Sequence, residues 1–252
     1  MKTVVSYKNL SILAVTLEAR QRMNLVLRIF LYLMVMLLFA QTFRAAKTST
    51  EGLFYIAMTQ LLVSSFAPQT FEIFNDLQTG LYSLRIGKPL HYVAIHFFRS
   101  LSVYLYRLAM LVIAFLLIQR CIPHCLGQTR PMIGAFLFFA TIGGSIYALL
   151  SIVIALASYW TQDVKVLFYF NMTTLFSLGG LIVPLDLYSH TMQKIAFYSP
   201  YPYILWYPAR AARLGFLGEP GHLWAQGAWF AAIAAFTLLV YHRLNQSLLI
   251  QG

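Results

Sequence analysis

Acidic side chains are scarce in this sequence, 7 Asp and Glu against 18 Lys and Arg, which leaves a formal charge of +11. The basic residues are scattered over loops and the N-terminus with no dense arm or stripe. That pattern argues against a nucleic-acid partner and leaves anionic lipid headgroups as the counter-charge. Cysteine occurs only at Cys121 and Cys125. With Pro123 and His124 between them, three states stay open: unpaired thiols, a disulfide in a broken loop, or a soft-metal site. The phosphate-cradling spacing G-x-x-x-x-G-K-[ST] is missing, because Gly80 and Gly87 stand too far apart and Lys88 precedes Pro89. ATP hydrolysis therefore belongs to another polypeptide if it is used at all, and no cofactor is expected on this chain. H-E-x-x-H and G-x-S-x-G are absent as well. The 6 His are dispersed, and His91 and His96 read as polar residues beside an interface. These absences argue against an enzyme.

Long apolar runs are what the sequence has. The chain is 60% hydrophobic and 10% charged, outside the range of a soluble domain. A bilayer core of roughly 30 Å needs about 20 apolar helical residues to cross it. Gly52 to Phe71, Pro131 to Gln162, Val166 to Leu185 and Pro220 to His242 carry no Asp, Glu, Lys or Arg. Met23 to Phe43 tolerates Arg28, and Val93 to Gln119 tolerates Arg99 and Arg107. The expectation is an all-α polytopic membrane protein with six transmembrane helices in one domain, residues 1–252. With the N-terminus inside, 9 Lys and Arg fall on inner segments and 7 on outer ones. The excess lies before the first span, which places both termini in the cytoplasm. Residues 1–22 read as an amphipathic interfacial helix and not as a cleaved signal, with Leu10, Leu13, Ala14 and Leu17 opposite Lys8, Asn9 and Glu18.

Two segments differ from the spans. Residues 72–89 form a polar insert between spans two and three. In it Ile73, Leu77 and Leu84 share an apolar side, and Glu72 and Asp76 stand four apart, spaced to pair with basic groups across an interface. Residues 179–221, between spans five and six, are broken by Pro184, Pro200, Pro202, Pro208 and Pro220 yet rich in Tyr, Trp and Leu. Irregular backbone at membrane depth survives only when packed in protein or facing water, so an outer re-entrant or interfacial hairpin is expected. Within the spans, Arg99 and Arg107 lie about 80° apart around a helix. Together with Asn171 they either face a substrate pathway or bond a partner chain or nearby carbonyls.

In order along the chain, the amphipathic start, the insert I-x-x-D-L-x-x-G-L-x-x-L-R-x-G-K-P-L and G-G-L-I-V-P-L-D followed by Y-S-P-Y-P-Y resemble permease subunits of the type-2 ATP-binding cassette exporters. That resemblance covers nearly the whole chain and rests on joint order rather than on any catalytic residue. It implies a dimer of identical or homologous permease chains over two ATP-binding cassette ATPase subunits, with ATP and Mg held by those partners. It implies outward movement of a hydrophobic or amphipathic substrate. Glu72, Ile73, Asp76, Leu77, Gly80, Leu81 and Leu84 match the coupling helix that seats on the ATPase, and Arg85, Lys88 and Pro89 match the return to the membrane. Gly179, Gly180, Pro184, Pro200, Tyr201 and Pro202 match the outer elements that close the pathway. The implied location is a bacterial cytoplasmic membrane.

A free-standing channel or ion-coupled carrier is the alternative, and an assembly or immunity factor without transport is a third. A carrier requires ionisable groups within the spans, and two arginines without an intramembrane carboxylate are a poor set.

Overall fold

The computed structural model describes residues 2–45, 50–82, 91–121, 131–181, 183–215 and 220–251. In chain order its helices are α1 (Lys2–Arg20), α2 (Arg22–Ala45), α3 (Thr50–Ser65), α4 (Thr70–Gln78), α5 (Tyr92–Cys121), α6 (Ile133–Thr161), α7 (Val164–Leu178), a 3-10 turn (Leu185–Leu187), α8 (His190–Phe197), α9 (Tyr201–Ile204), α10 (Trp206–Leu214) and α11 (Pro220–Gln251). No strand occurs among the described residues. Four helices, α2, α5, α6 and α11, are long and apolar enough to cross a bilayer, the composition of a multi-pass membrane protein.

The other two expected spans are shorter than their apolar runs. With 16 and 15 residues, α3 and α7 reach roughly 24 and 23 Å at 1.5 Å per residue. Pro68 disfavours helical geometry at Ala67, so the helix stops at Ser65. At the end of α7, Gly179 caps the helix and Gly180 takes φ +72°, a conformation glycine adopts without strain. The tight turn between α6 and α7 places Gln162 at φ 55°, and the Asp163 carboxylate then caps α7 by accepting from the amide of Lys165 at 2.8 Å.

α6 and α3 form the centre of the bundle. Leu53, Phe54, Ala57, Met58, Leu61 and Leu62 of α3 pack with Phe136, Phe139, Ile146 and Tyr147 of α6 and with Tyr104, Leu108 and Leu111 of α5. Phe66 stacks on Tyr147 with ring centroids 3.8 Å apart and on Tyr104 at 5.9 Å. Gly144 makes room for this layer, since a Cβ there would lie 2.2 Å from the Tyr104 ring. Tyr104 is buried and its hydroxyl donates to the Ala140 carbonyl at 2.9 Å, so the ring has little freedom to yield. Gly144→Ala is expected to destabilise the fold by about 1–3 kcal/mol, read as a lower unfolding temperature in detergent. An unchanged temperature would show that the ring is not clamped.

α1 packs lengthwise on α5. The Tyr7 ring meets Phe98, its hydroxyl accepts from the His91 amide at 3.0 Å, Ala14 sits against Ala67 and Val103, and Glu18 reaches Arg107. The inward stripe is Tyr7, Ser11, Ala14 and Glu18, while Leu13 and Leu17 are exposed. The expected separation of faces is not kept: Lys8 and Asn9 are exposed together with Leu13 and Leu17, and Ala14 and Glu18 turn to the protein together.

Candidate functional site

Two layers of polar chemistry sit toward opposite ends of α6. At one end, two arginines complete the C-terminus of α3, whose last carbonyls have no partner within their own helix. Arg28 of α2 donates to the Ser64 carbonyl at 3.1 Å, and Arg107 of α5 donates to the Phe66 carbonyl at 2.9 Å. Cations placed there also meet the negative end of the helix dipole. Arg107 further donates through Nε to the Glu18 carboxylate at 2.7 Å, with both side chains no more than 15% exposed. The sequence offered Arg107 to a pathway, a partner chain or nearby carbonyls; the structure gives it a carbonyl and a carboxylate of its own chain.

Just beyond this layer lies α4. Glu72 pairs with Arg99, and Asp76, 3% exposed, accepts from the Tyr92 hydroxyl at 3.0 Å with His96 Nε2 at 3.9 Å. Ile73 is fully buried beside Tyr82, Tyr92, Val93, Ile152 and Leu156. Glu72 and Asp76 each have a partner within the chain, because α4 lies against the ends of α5 and α6 with Ile73 and Asp76 turned inward. His96 is buried between Tyr92 and Asp76 and is not an interfacial residue.

The outward side of α4 and the turn after it presents Phe71, Asn75, Gln78, Thr79, Gly80 and Leu81, with Leu77 half-buried. Gly80 takes φ +72° with nothing near its absent Cβ, so its role there is conformational, ending the helix. Tyr82 folds back, its hydroxyl donating to Asn245 of α11 at 2.6 Å, and burial, with Tyr241 adding, pushes its pKa well above the ordinary tyrosine range. Leu84, Arg85, Lys88 and Pro89 lie outside the described residues, as do residues 122–130 with Cys125 and the side chain of Cys121.

At the other end, the proline-broken segment enters the bundle. Pro202 to Ala209 are buried without interruption, as irregular backbone inside an apolar protein requires. α9 reaches Gly143, where a Cβ would stand 3.0 Å from the carbonyl oxygens of both Tyr203 and Ile204. Gln226 of α11, fully buried, donates through Nε2 to the carbonyls of Phe139 at 3.0 Å and Tyr203 at 2.9 Å. Asn171 accepts from the Tyr201 hydroxyl at 3.1 Å, so its polar group serves this junction. The Gly179–Gly180 turn is held by α3, with the Tyr55 hydroxyl donating to the Gly180 carbonyl at 2.5 Å and the Thr59 hydroxyl to that of Leu181 at 3.3 Å. Pro200 is half-buried at the start of α9. Pro184 lines a cavity of about 440 Å³ together with Tyr55, Asp186, Arg210 and Arg213. There Arg210 lies 3.5 Å from the Asp186 carboxylate and over the Trp206 ring.

The structure thus brings Glu72 to Arg99, Asp76 to Tyr92 and Asn171 to Tyr201. Sequence reasoning missed Glu18 and Gln226 as bonding residues. Glu18 had a signal: with so few acids, a carboxylate on a helix next to spans carrying unpaired arginines is their natural partner. Gln226 had only its polarity inside an otherwise apolar run. No protein-family model matches the chain, and no curated protein matches it either.

Proposed function

We propose that this chain is the membrane-spanning permease subunit of an ATP-driven exporter of the type-2 ATP-binding cassette kind, moving a hydrophobic or amphipathic substrate outward. The observation that carries the reading is the placement of α4. A short amphipathic helix is anchored by its inward face to the inner ends of α5 and α6, while its outward face, Asn75, Gln78, Thr79 and Leu81, has no cover among the described residues. Such a helix is built to receive force from a separate subunit and pass it to two long helices at once. The buried, broken segment α9–α10 at the opposite end supports the same reading, as an outer closure.

In this reading α3 and α7 also cross, giving six spans, with the arginine-capped end of α3 at the inner membrane face and α4 below it. Both termini are cytoplasmic, the membrane is a bacterial inner membrane, and a second permease chain, identical or homologous, completes the pathway. ATP and Mg belong to the ATPase partner.

The test is purification of the tagged full chain from its native membrane in mild detergent, with mass spectrometry of what stays bound. The expected result is a P-loop protein in near-equal amount. Leu81→Asp, at an exposed position, is expected to deplete that partner by roughly tenfold, the loss of one good interfacial contact, with the elution profile of the permease unchanged. A chain recovered only with itself would overturn the exporter reading in favour of a free-standing channel or carrier.

A further inference from the structure

We propose that the cavity enclosed by α1, α2, α5 and the α3–α4 connection binds the phosphate of an anionic glycerophospholipid. The cavity measures about 400 Å³ and is lined by Glu18, Gln21, Arg28, Gln69, Arg99 and Arg107, a volume within the range of sites for small ligands. Its charges do not cancel. Three arginines face it, Arg107 is engaged by Glu18 and Arg99 by Glu72, and one positive charge remains.

That excess sits on Arg28. Its guanidinium spends one N–H on the Ser64 carbonyl at 3.1 Å, and it has no ion pair among the described residues. A half-buried cation of this kind is complemented by an anion, and the planar guanidinium fits two phosphate oxygens. Gln69, 9% exposed, lines the same space.

Phosphate chemistry alone would also admit the free ion. The surroundings select the lipid. Leu17 lines the cavity, and Leu13 on the same helix and Val26 and Leu27 on α2 are exposed apolar side chains along which acyl chains can lie. The inference depends on the chain being a membrane protein and not on an ATPase partner.

Binding is measured on the purified full chain in uncharged detergent, by native mass spectrometry and thermal unfolding, with phosphatidylglycerol, phosphatidylcholine and inorganic phosphate as probes. Phosphatidylglycerol is expected to bind roughly tenfold tighter than phosphatidylcholine, the worth of one charge-assisted contact, and to raise the unfolding temperature. Arg28→Gln should abolish that preference and Arg28→Lys retain part of it, while Arg243→Gln, at an exposed arginine elsewhere, leaves it intact. Gln21→Glu, at the exposed rim, sets a negative charge against the phosphate without touching the core and should weaken phosphatidylglycerol binding even if Arg28→Gln fails to fold. Equal affinity for the two lipids, or a preference that survives both Arg28→Gln and Gln21→Glu, would overturn the proposal. Inorganic phosphate reproducing the full stabilisation would overturn the assignment to lipid.

Discussion

Arg107→Met is expected to lower the unfolding free energy by about 3–5 kcal/mol, the cost of leaving one member of a buried ion pair alone, and to release α1 from α5. The side chain it removes does two things at once. It neutralises Glu18, which is then left only the more distant Arg28 of the same cavity, and it supplies the N–H that satisfies the Phe66 carbonyl at 2.9 Å. The comparison that isolates the effect is with Arg99→Met. That residue pairs with Glu72, but the side chains are 39% and 37% exposed. An exposed pair is worth only about 0–1 kcal/mol. Thermal unfolding in detergent should therefore separate the two variants clearly. Limited proteolysis should show cleavage within α1 in Arg107→Met and not in Arg99→Met. Glu18→Gln combined with Arg107→Met is expected to recover part of the loss, since no charge is then stranded. Equal unfolding temperatures for the two single variants would show that the Glu18 contact contributes nothing.

Asp76→Lys is expected to remove most of the folded protein from the membrane, while Asp76→Asn is tolerated with a cost of about 1–2 kcal/mol. The carboxylate is buried against the Tyr92 hydroxyl and the His96 ring. An asparagine keeps an acceptor for Tyr92. A lysine offers that hydroxyl a second donor and puts a cation beside Ile73 and Tyr92 with no anion to answer it, which costs several kcal/mol. Size-exclusion chromatography of solubilised membranes reads the difference directly. A lysine variant with the native elution profile and unfolding temperature would show that Asp76 is turned outward. The i, i+4 spacing of Glu72 and Asp76 made both look like interface residues. In the structure Asn75, Gln78 and Leu81 are exposed, Glu72 is half-buried and Asp76 is buried.

The positions of the long helices were legible because lipid and core both demand the same thing, an uninterrupted apolar run, and Pro131, Gly179 and Pro220 mark where those runs begin or end. The lengths of α3 and α7 were not, since an uncharged run does not reveal where a backbone leaves helical geometry; Phe66 and Ala67 continue the apolar pattern after the helix has ended. Pairings were the least legible. Arg107 and Glu18 are 89 residues apart, Gln226 and Phe139 87. Sequence periodicity gives the face of each helix but no register between helices. Tyr201 and Asn171 show the intermediate case, in which both polar groups stood out and only their meeting required the fold.

Gln226 fastens α9 to α6 and, through its own backbone, to α11, so these three pieces share one bolt. Any widening at this end that keeps both Gln226 bonds has to carry its contacts on α6, α9 and α11 together. The alternative breaks the bonds of the buried Gln226 amide to Phe139 and Tyr203, leaving a buried donor unsatisfied at about 1–3 kcal/mol, while the Phe139 carbonyl keeps its helical bond. One amide thereby adds a polar tie to the packing of α9 and α10 on α6, and the glycine turn is tied separately by the hydroxyl contacts of Tyr55 and Thr59.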